Sequence, residues 1–238
     1  MIALIDGDIL TYRVGFAYDD DDFGLARHRL GETIEIICDE LETEEFELFI
    51  TGKTNFRNDY AVTAPYKGNR TGRRPVHYDA LREYMLELNG TLVEDQEADD
   101  AIAIRATELG TKKAMIVSID KDFDQVEGWH YNFVKKQQYY ISRTQGLLNF
   151  YMQFLTGDRI DNIIGVKGFG PVKAKKLLEG KTEREMYEVC VEELGSEERA
   201  IENGILLWLR RYEGQVWTPP TKEEVNEEAN EEEHTQGV

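Results

Sequence analysis

The sequence predicts an α/β protein, a mostly parallel sheet flanked by helices with a helical region after it, and three observations lead there. In the first 145 residues short apolar runs alternate with segments whose apolar residues recur at helical spacing, the pattern of parallel strands joined by crossover helices. From Leu147 onward that alternation gives way to helical periodicity alone. With 238 residues, 41% of them hydrophobic, the chain holds enough apolar material for one substantial core and a smaller appended subdomain.

Each element has its own local reason. Ile2 to Ile5 is an unbroken apolar run of strand length that meets Asp6 at once. No basic segment precedes it, so it reads as a buried strand and not as a secretory signal. Leu25 to Leu41 has helical spacing, Phe46 to Thr51 is a second buried strand, and Val76 to Leu88 is again helical. A weaker strand near Thr91 to Val93, a helix over Ala98 to Leu109 and a strand over Ala114 to Ile119 follow. Strands around Tyr131 to Val134 and Gln138 to Ile141 close the sheet. Helices are then expected over Leu148 to Leu155, Pro171 to Leu178, Glu183 to Leu194 and Glu198 to Tyr212. Pro171 suits a first helical turn, where its missing N–H costs nothing. Beyond Trp217-Thr218-Pro219-Pro220 the composition turns polar and acidic, which predicts disorder. The expected domains are therefore 1–145, 146–217 and an acidic tail over 218–238.

Composition narrows the function classes. No apolar run reaches the ~20 residues needed to span a bilayer, and a soluble intracellular protein is expected. Cys38 and Cys190 lie far apart without CxxC spacing, so neither a disulfide framework nor a zinc site is indicated, and both read as core thiols. The formal charge of −19 argues against a nucleic-acid partner until its distribution is considered. Beyond Thr221 lie seven Glu and one Lys, leaving −13 on the rest, and Asp19 to Asp22 contributes −4 of that. By contrast Tyr66 to Pro75 holds Lys67, Arg70, Arg73 and Arg74 with no acid among them.

The residues that suggest chemistry are carboxylates. Asp6 ends the first strand and Asp120 follows the later one, and in an open parallel sheet the strand C-termini share one edge, where ligands bind. Asp122, two residues on, can turn back towards that edge. Glu97 and Asp100 are three apart at a helix start, with Asp99 beside them. Acids there also complement the helix dipole, which suffices for one acid and not for a recurring set. Like charges gathered this way repel unless a cation neutralises them. Oxygen-only ligation without His or Cys points to Mg2+ or Mn2+, and two such ions about 4 Å apart suit phosphoryl displacement. His28, His77, His130 and His234 form no triad-like local motif and read as structural or surface residues.

Asp158 and Asp161 lead into a second feature. Gly168-Phe169-Gly170 opens a helix carrying Lys173, Lys175 and Lys176, with Lys167 just before it. A GxG turn alone is weak evidence. Lysines beside the amides and dipole of a helix N-terminus make it a plausible grip on phosphate, one that fixes position without reading sequence.

Five segments, taken in order, resemble the 5'-3' exonuclease and flap endonuclease family. They are Asp6-Gly7-Asp8, Tyr66-Lys67-Gly68-Asn69-Arg70, Glu97-Ala98-Asp99-Asp100, Ser118-Ile119-Asp120-Lys121-Asp122-Phe123, and the run from Thr156 to Gly170. The resemblance covers about Met1 to Leu178 and is nearest to bacteriophage 5' exonucleases and the 5'-nuclease domains of bacterial DNA polymerases. It implies a PIN-like catalytic domain, an arch over about 53–75, and a helix-three-turn-helix element that grips duplex DNA, with a K+ ion there. It implies that Asp6, Glu97, Asp99, Asp100, Asp120, Asp122, Asp158 and Asp161 serve a pair of Mg2+ or Mn2+ ions, directly or from behind. Lys67 and Arg70 would contact the scissile phosphate, with Tyr66 placed to stack on a base. Arg73, Arg74, Lys167, Gly168, Gly170, Lys173, Lys175 and Lys176 would hold DNA. Asp124 falls outside the motif.

The expected activity is hydrolysis of phosphodiester bonds at 5' ends, nicks or flaps of DNA, and of RNA in hybrids, by a monomer in the cytoplasm, the host's if the chain is phage-encoded. The chain departs from the family pattern at Gly52, where an Asp is expected after the second strand. Asp8 or Asp59 compensates through water, or one ligand is absent, or the match is shifted by a few residues. Two other classes compete: a catalytically weak DNA-structure-binding protein, and a PIN-type ribonuclease, which has no need of the glycine-rich anchor.

Overall fold

A computed structural model of the chain describes residues 1–221. The acidic tail expected from Lys222 onward lies outside them. The chain divides into two compact units. One comprises Met1–Phe56, Thr71–Gly146 and Leu209–Gln215; the other comprises Arg57–Arg70, Leu147–Trp208 and, among the described residues, 216–221.

The first unit is built on a six-stranded sheet of order β3-β2-β1-β4-β5-β6. Its strands are β1 (Ile2–Asp6), β2 (Phe46–Thr51), β3 (Thr91–Val93), β4 (Ala114–Val117), β5 (Gly128–Asn132) and β6 (Gln137–Ile141). All pairings are parallel except β5 with β6. Helices α1 (Gly7–Ala17), α2 (Phe23–Glu40), α4 (Tyr78–Glu87) and α5 (Ala98–Leu109) supply the crossovers. Both sheet faces are covered, which is why β1 as far as Ile5 and β4 read as unbroken apolar runs and β2 is interrupted only by Glu47 before its terminal Thr51. Alternate residues divide between two cores. Ala3, Ile5, Leu48, Ile50, Met115 and Val117 face α1, α2 and α4, while Leu4, Phe49, Ala114 and Ile116 face α5.

Most strands fall within a few residues of their expected places. Helix α1 is absent from the sequence expectation because it starts with no spacer after β1. Asp6 is both the last strand residue and the helix N-cap, its Oδ1 accepting from the Ile9 N–H at 3.0 Å. The pairing register sets Asp6 opposite Phe49 and Ile5 opposite Val117. The C-terminal ends of β1, β2 and β4 therefore share one edge.

The second unit contains α3 (Arg57–Tyr60), most of α6 (Arg143–Thr156), and a two-residue ribbon β7 (Gly157–Asp158) with β8 (Ile163–Ile164). Helices α7 (Pro171–Leu178), α8 (Glu183–Leu194) and α9 (Glu197–Leu207) complete it. Its core is aromatic, with Phe150 in edge contact with Tyr151, Phe154, Trp208 and Trp217. The ribbon was not expected from sequence. It depends on Gly157 and Gly165, where a Cβ would come within 2.4 Å of the facing backbone. Helix α9 stops at Leu207, five residues before its expected end. Past it the Leu209 and Arg210 amides are claimed by the side chains of Gln125 and Asp100, and these tertiary bonds outweigh helical propensity.

Candidate active site

At the shared edge of the first unit, Asp8 and Asp120 lie within electrostatic reach of Asp6, and Glu97 within reach of Asp8. Asp6 is 1% exposed, and its Oδ2 accepts from the Ser118 hydroxyl at 2.9 Å. The same hydroxyl oxygen accepts from the Asp120 N–H, and Asp120 Oδ1 accepts from the Asp122 N–H, each at 3.0 Å. A chain of short polar contacts thus ties the end of β1 to the turn after β4. Burial raises the Asp6 carboxyl to about 7, Asp8 and Asp120 push the same way, and the Ile9 and Ser118 bonds oppose them. Asp8 is also raised, first by burial, with Glu97 adding to it and Thr51 and Arg82 opposing.

Helix α5 brings the second group. Glu97 is its N-cap, nearly buried, and its own N–H donates to Asp100 Oδ2 at 3.1 Å. Asp100 is fully buried, and its other oxygen accepts from the Arg210 N–H at 3.0 Å. Backbone amides on both oxygens give Asp100 the task of fixing the start of α5, behind Glu97. Asp99 is half-buried. Asp124 accepts from the Tyr139 hydroxyl at 2.9 Å.

This donor set suits a hard divalent ion. It is all oxygen, and its buried Asp6 has two carboxylate neighbours and no cation among the groups that shift it. Among the described residues no three His, Cys, Asp or Glu side chains close on one point, and the acids line the strand ends as a rim. An ion that keeps several of its waters, as Mg2+ does, fits such a rim.

In the second unit the carboxylate of Asp161 has the opposite surroundings. It accepts from the Tyr66 hydroxyl at 2.8 Å and from Arg70 Nη2 at 2.7 Å, with Lys67 Nζ at 3.6 Å. The Lys67 N–H donates to the Asp161 carbonyl, Asn69 to the Arg159 carbonyl, and Asn162 to that of Pro65. The segment Pro65 to Arg70 is thereby fastened along the β7–β8 turn. Asp158 shapes that turn, its Oδ1 accepting from the amides of Ile160 and Asp161. Tyr66, placed by the resemblance to stack on a base, is 8% exposed and holds Asp161 instead.

Further along, Lys167 and Gly168 form an exposed turn, Gly168 with φ +84°. Gly170 is the N-cap of α7. The Lys173 ammonium lies 3.5 Å from the Phe169 ring centroid, Lys175 pairs with Glu179, and Lys176 is exposed. In the first unit, Arg73 pairs with Asp19 and lies over Phe16, while Arg74 lies over Tyr78.

At Gly52 a Cβ would fall 2.5 Å from both the Val93 carbonyl oxygen and the Glu94 side chain, so the backbone leaves no room for the expected Asp. Asp59 is exposed on α3 of the second unit. Sequence reasoning passed over Ser118, Thr51 and Arg82. Ser118 carried a signal, a polar residue directly after a buried strand and two before an acid. Arg82 carried none, because it enters the rim from the middle of α4.

No family model matches the chain. Among curated proteins it is similar to flap endonuclease Xni of Shewanella woodyi, 35% identical over 134 residues, which are 48% of this chain and 52% of that protein. It is similar to DNA polymerase I of Bacillus caldotenax, 30% identical over 206 residues, which are 74% of this chain and 23% of the polymerase. The chain thus spans about half the length of the first relative and under a quarter of the second. Its fold matches T5 5'-exonuclease with divalent zinc bound, at TM-score 0.65 and 20% identity, over 87% of this chain and 88% of that one. It also matches a T5 D15 flap endonuclease complex with DNA and metal ions, at TM-score 0.68 and 21% identity, over the same shares. The catalytic core of Rad2 with DNA substrate matches at TM-score 0.51 and 12% identity, over 92% of this chain and 83% of that one.

Proposed function

The chain belongs to the 5'-3' exonuclease and flap endonuclease family, and from that premise we propose that it is a divalent-metal-dependent nuclease acting on DNA at 5' ends, nicks or flaps. The observation that carries the reading is the sheet edge where buried Asp6 meets the charges of Asp8 and Asp120. Asp6, Glu97, Asp99, Asp120 and Asp122 would hold Mg2+ or Mn2+ and Asp100 orients Glu97, whereas Asp158 shapes the β7–β8 turn and Asp161 orients Lys67 and Arg70. When bound, such ions supply an activated water and neutralise charge on the departing oxygen.

The remaining work falls to side chains of this chain. Lys67 and Arg70 stabilise charge on the scissile phosphate, and their pairing with Asp161 keeps them oriented before substrate arrives. Tyr66 acts through Asp161 and not on a base. Lys167, Gly168, Gly170, Lys173, Lys175 and Lys176, with Arg73 and Arg74, hold the duplex by its phosphates, as a helix-three-turn-helix element does, with K+ among its carbonyls. RNA in hybrids is a second substrate, and the working form is a cytoplasmic monomer. No helix among the described residues is long and apolar enough to cross a membrane.

Asp120→Asn is expected to abolish turnover and leave DNA binding intact or tighter, since it removes a charge that repels phosphate. Full Mg2+-dependent activity in that variant would overturn the assignment. A gel comparing flapped, nicked and blunt DNA with single-stranded RNA, each with Mg2+ and with EDTA, separates this reading from a ribonuclease. It also separates it from a protein that only binds DNA structure.

A further inference from the structure

The end of β2 is the one place on the rim where the expected acid is missing, and the structure shows what stands there. Asp8, from the first turn of α1, reaches across and accepts from the Thr51 N–H through Oδ2 at 3.1 Å. Its Oδ1 accepts from Arg82 Nη1 at 2.8 Å, and Arg82 Nη2 donates to the Thr51 carbonyl. Both backbone polar groups of Thr51 are therefore held by one ion pair, itself largely buried. The Thr51 side chain also favours the charged form of Asp8. The Thr51 hydroxyl oxygen accepts from the Ala98 N–H at 2.9 Å.

Ala98 is the first residue of α5 and the neighbour of Glu97. The contacts run from Asp8 to Thr51 to Ala98 without a gap, and Asp8 lies two residues from Asp6. One end of the relay is Asp8 in the helix that Asp6 caps, the other the first residue of the helix that Glu97 caps. No substitute at residue 52 could do this, because Val93 and Glu94 occupy its side-chain space.

We propose that Asp8, clamped by Arg82, is a positioning residue of the metal site that sets Glu97 against Asp6 through the hydroxyl of Thr51. The proposal rests on the metal-dependent reading above. Partners that orient metal ligands from behind typically contribute about 10- to 100-fold to metal affinity, and the relay is expected to contribute at the lower end.

The test is Mn2+ affinity of the protein without DNA, followed by electron paramagnetic resonance of the free ion, with circular dichroism confirming each variant's fold. Asp8→Asn and Thr51→Val are each expected to weaken Mn2+ binding about tenfold, and Thr51→Ser, which keeps the hydroxyl, to bind as wild type. Glu47→Gln is the control. Glu47 on β2 pairs with Arg105 on α5 at 2.8 Å, joining the same strand and helix away from the rim, and its loss should leave Mn2+ affinity unchanged. Wild-type affinity in both Asp8→Asn and Thr51→Val, or an equal loss in Glu47→Gln, overturns the inference alone. A wild-type protein that binds no Mn2+ overturns the metal-dependent reading and the inference with it.

Discussion

Asp6 in the first unit and Asp161 in the second are both buried aspartates beside a strand end, and their surroundings are opposite. Asp6 has Asp8 and Asp120 as charged neighbours; Asp161 has Lys67, Arg70 and the Tyr66 hydroxyl. A carboxylate among carboxylates holds its proton more tightly or takes its counter-charge from a bound cation, and one already furnished with cations serves to hold them. The contrast separates an acid whose neighbours repel its charge from one whose neighbours balance it, although both read simply as acids in the sequence.

The sharpest test makes the same change in both places. Asp161→Asn should lower the unfolding free energy by about 2–3 kcal/mol, since charge-assisted bonds to Lys67 and Arg70 are lost. Asp6→Asn should raise it by about 1–3 kcal/mol in EDTA at pH 8, because it removes a buried charge whose folded pKa lies well above its unfolded value. Denaturant titrations read both. The same sign for the two variants would break the comparison. Mg2+ should stabilise the wild type and lose that effect in Asp6→Asn.

A smaller effect probes the rim's missing acid. Gly52→Asp should cost about 2 kcal/mol by forcing the Val93 carbonyl and Glu94 aside. Gly72→Ala, with no atom within 4 Å of its Cβ, should change stability by no more than about 0.5 kcal/mol. Thermal melts of the two variants suffice.

The smallest effect belongs to a buried group on β5. His130 has its pKa lowered by burial, against the opposing Val126 carbonyl and Asp124 charge. The unfolded chain therefore takes up this proton more readily than the folded one. The stability from neutral His130 is complete above its unfolded value near 6.5 and is lost as pH falls through that value, at up to about 1.4 kcal/mol per pH unit. His130→Gln should flatten the fall between pH 7 and pH 5 in urea titrations. An unchanged slope would show that other groups carry it.

Strand runs such as Phe46 to Thr51 and helices such as Ala98 to Leu109 and Glu183 to Leu194 are legible in the sequence because burial on a fixed period constrains residue type locally. The rim is partly legible for the same reason. A parallel sheet must bring its C-terminal strand ends together, so Asp6 and Asp120 could be placed on one edge from their positions alone.

What the sequence could not supply was the wiring between distant residues. Nothing local in Arg82 says that it holds Thr51, and nothing in Asp161 says that it faces Tyr66, Lys67 and Arg70 and not another acid. The short ribbon of Gly157 and Ile164, and the early end of α9, depend likewise on close backbone approach and on bonds from remote side chains. The sequence by itself determined the layered α/β core and the edge that Asp6 and Asp120 share, because hydrophobic period and strand order are properties of the chain as written. Only the tertiary structure decided which acids share a field and which are paired, because charge interactions depend on distances that no local pattern records.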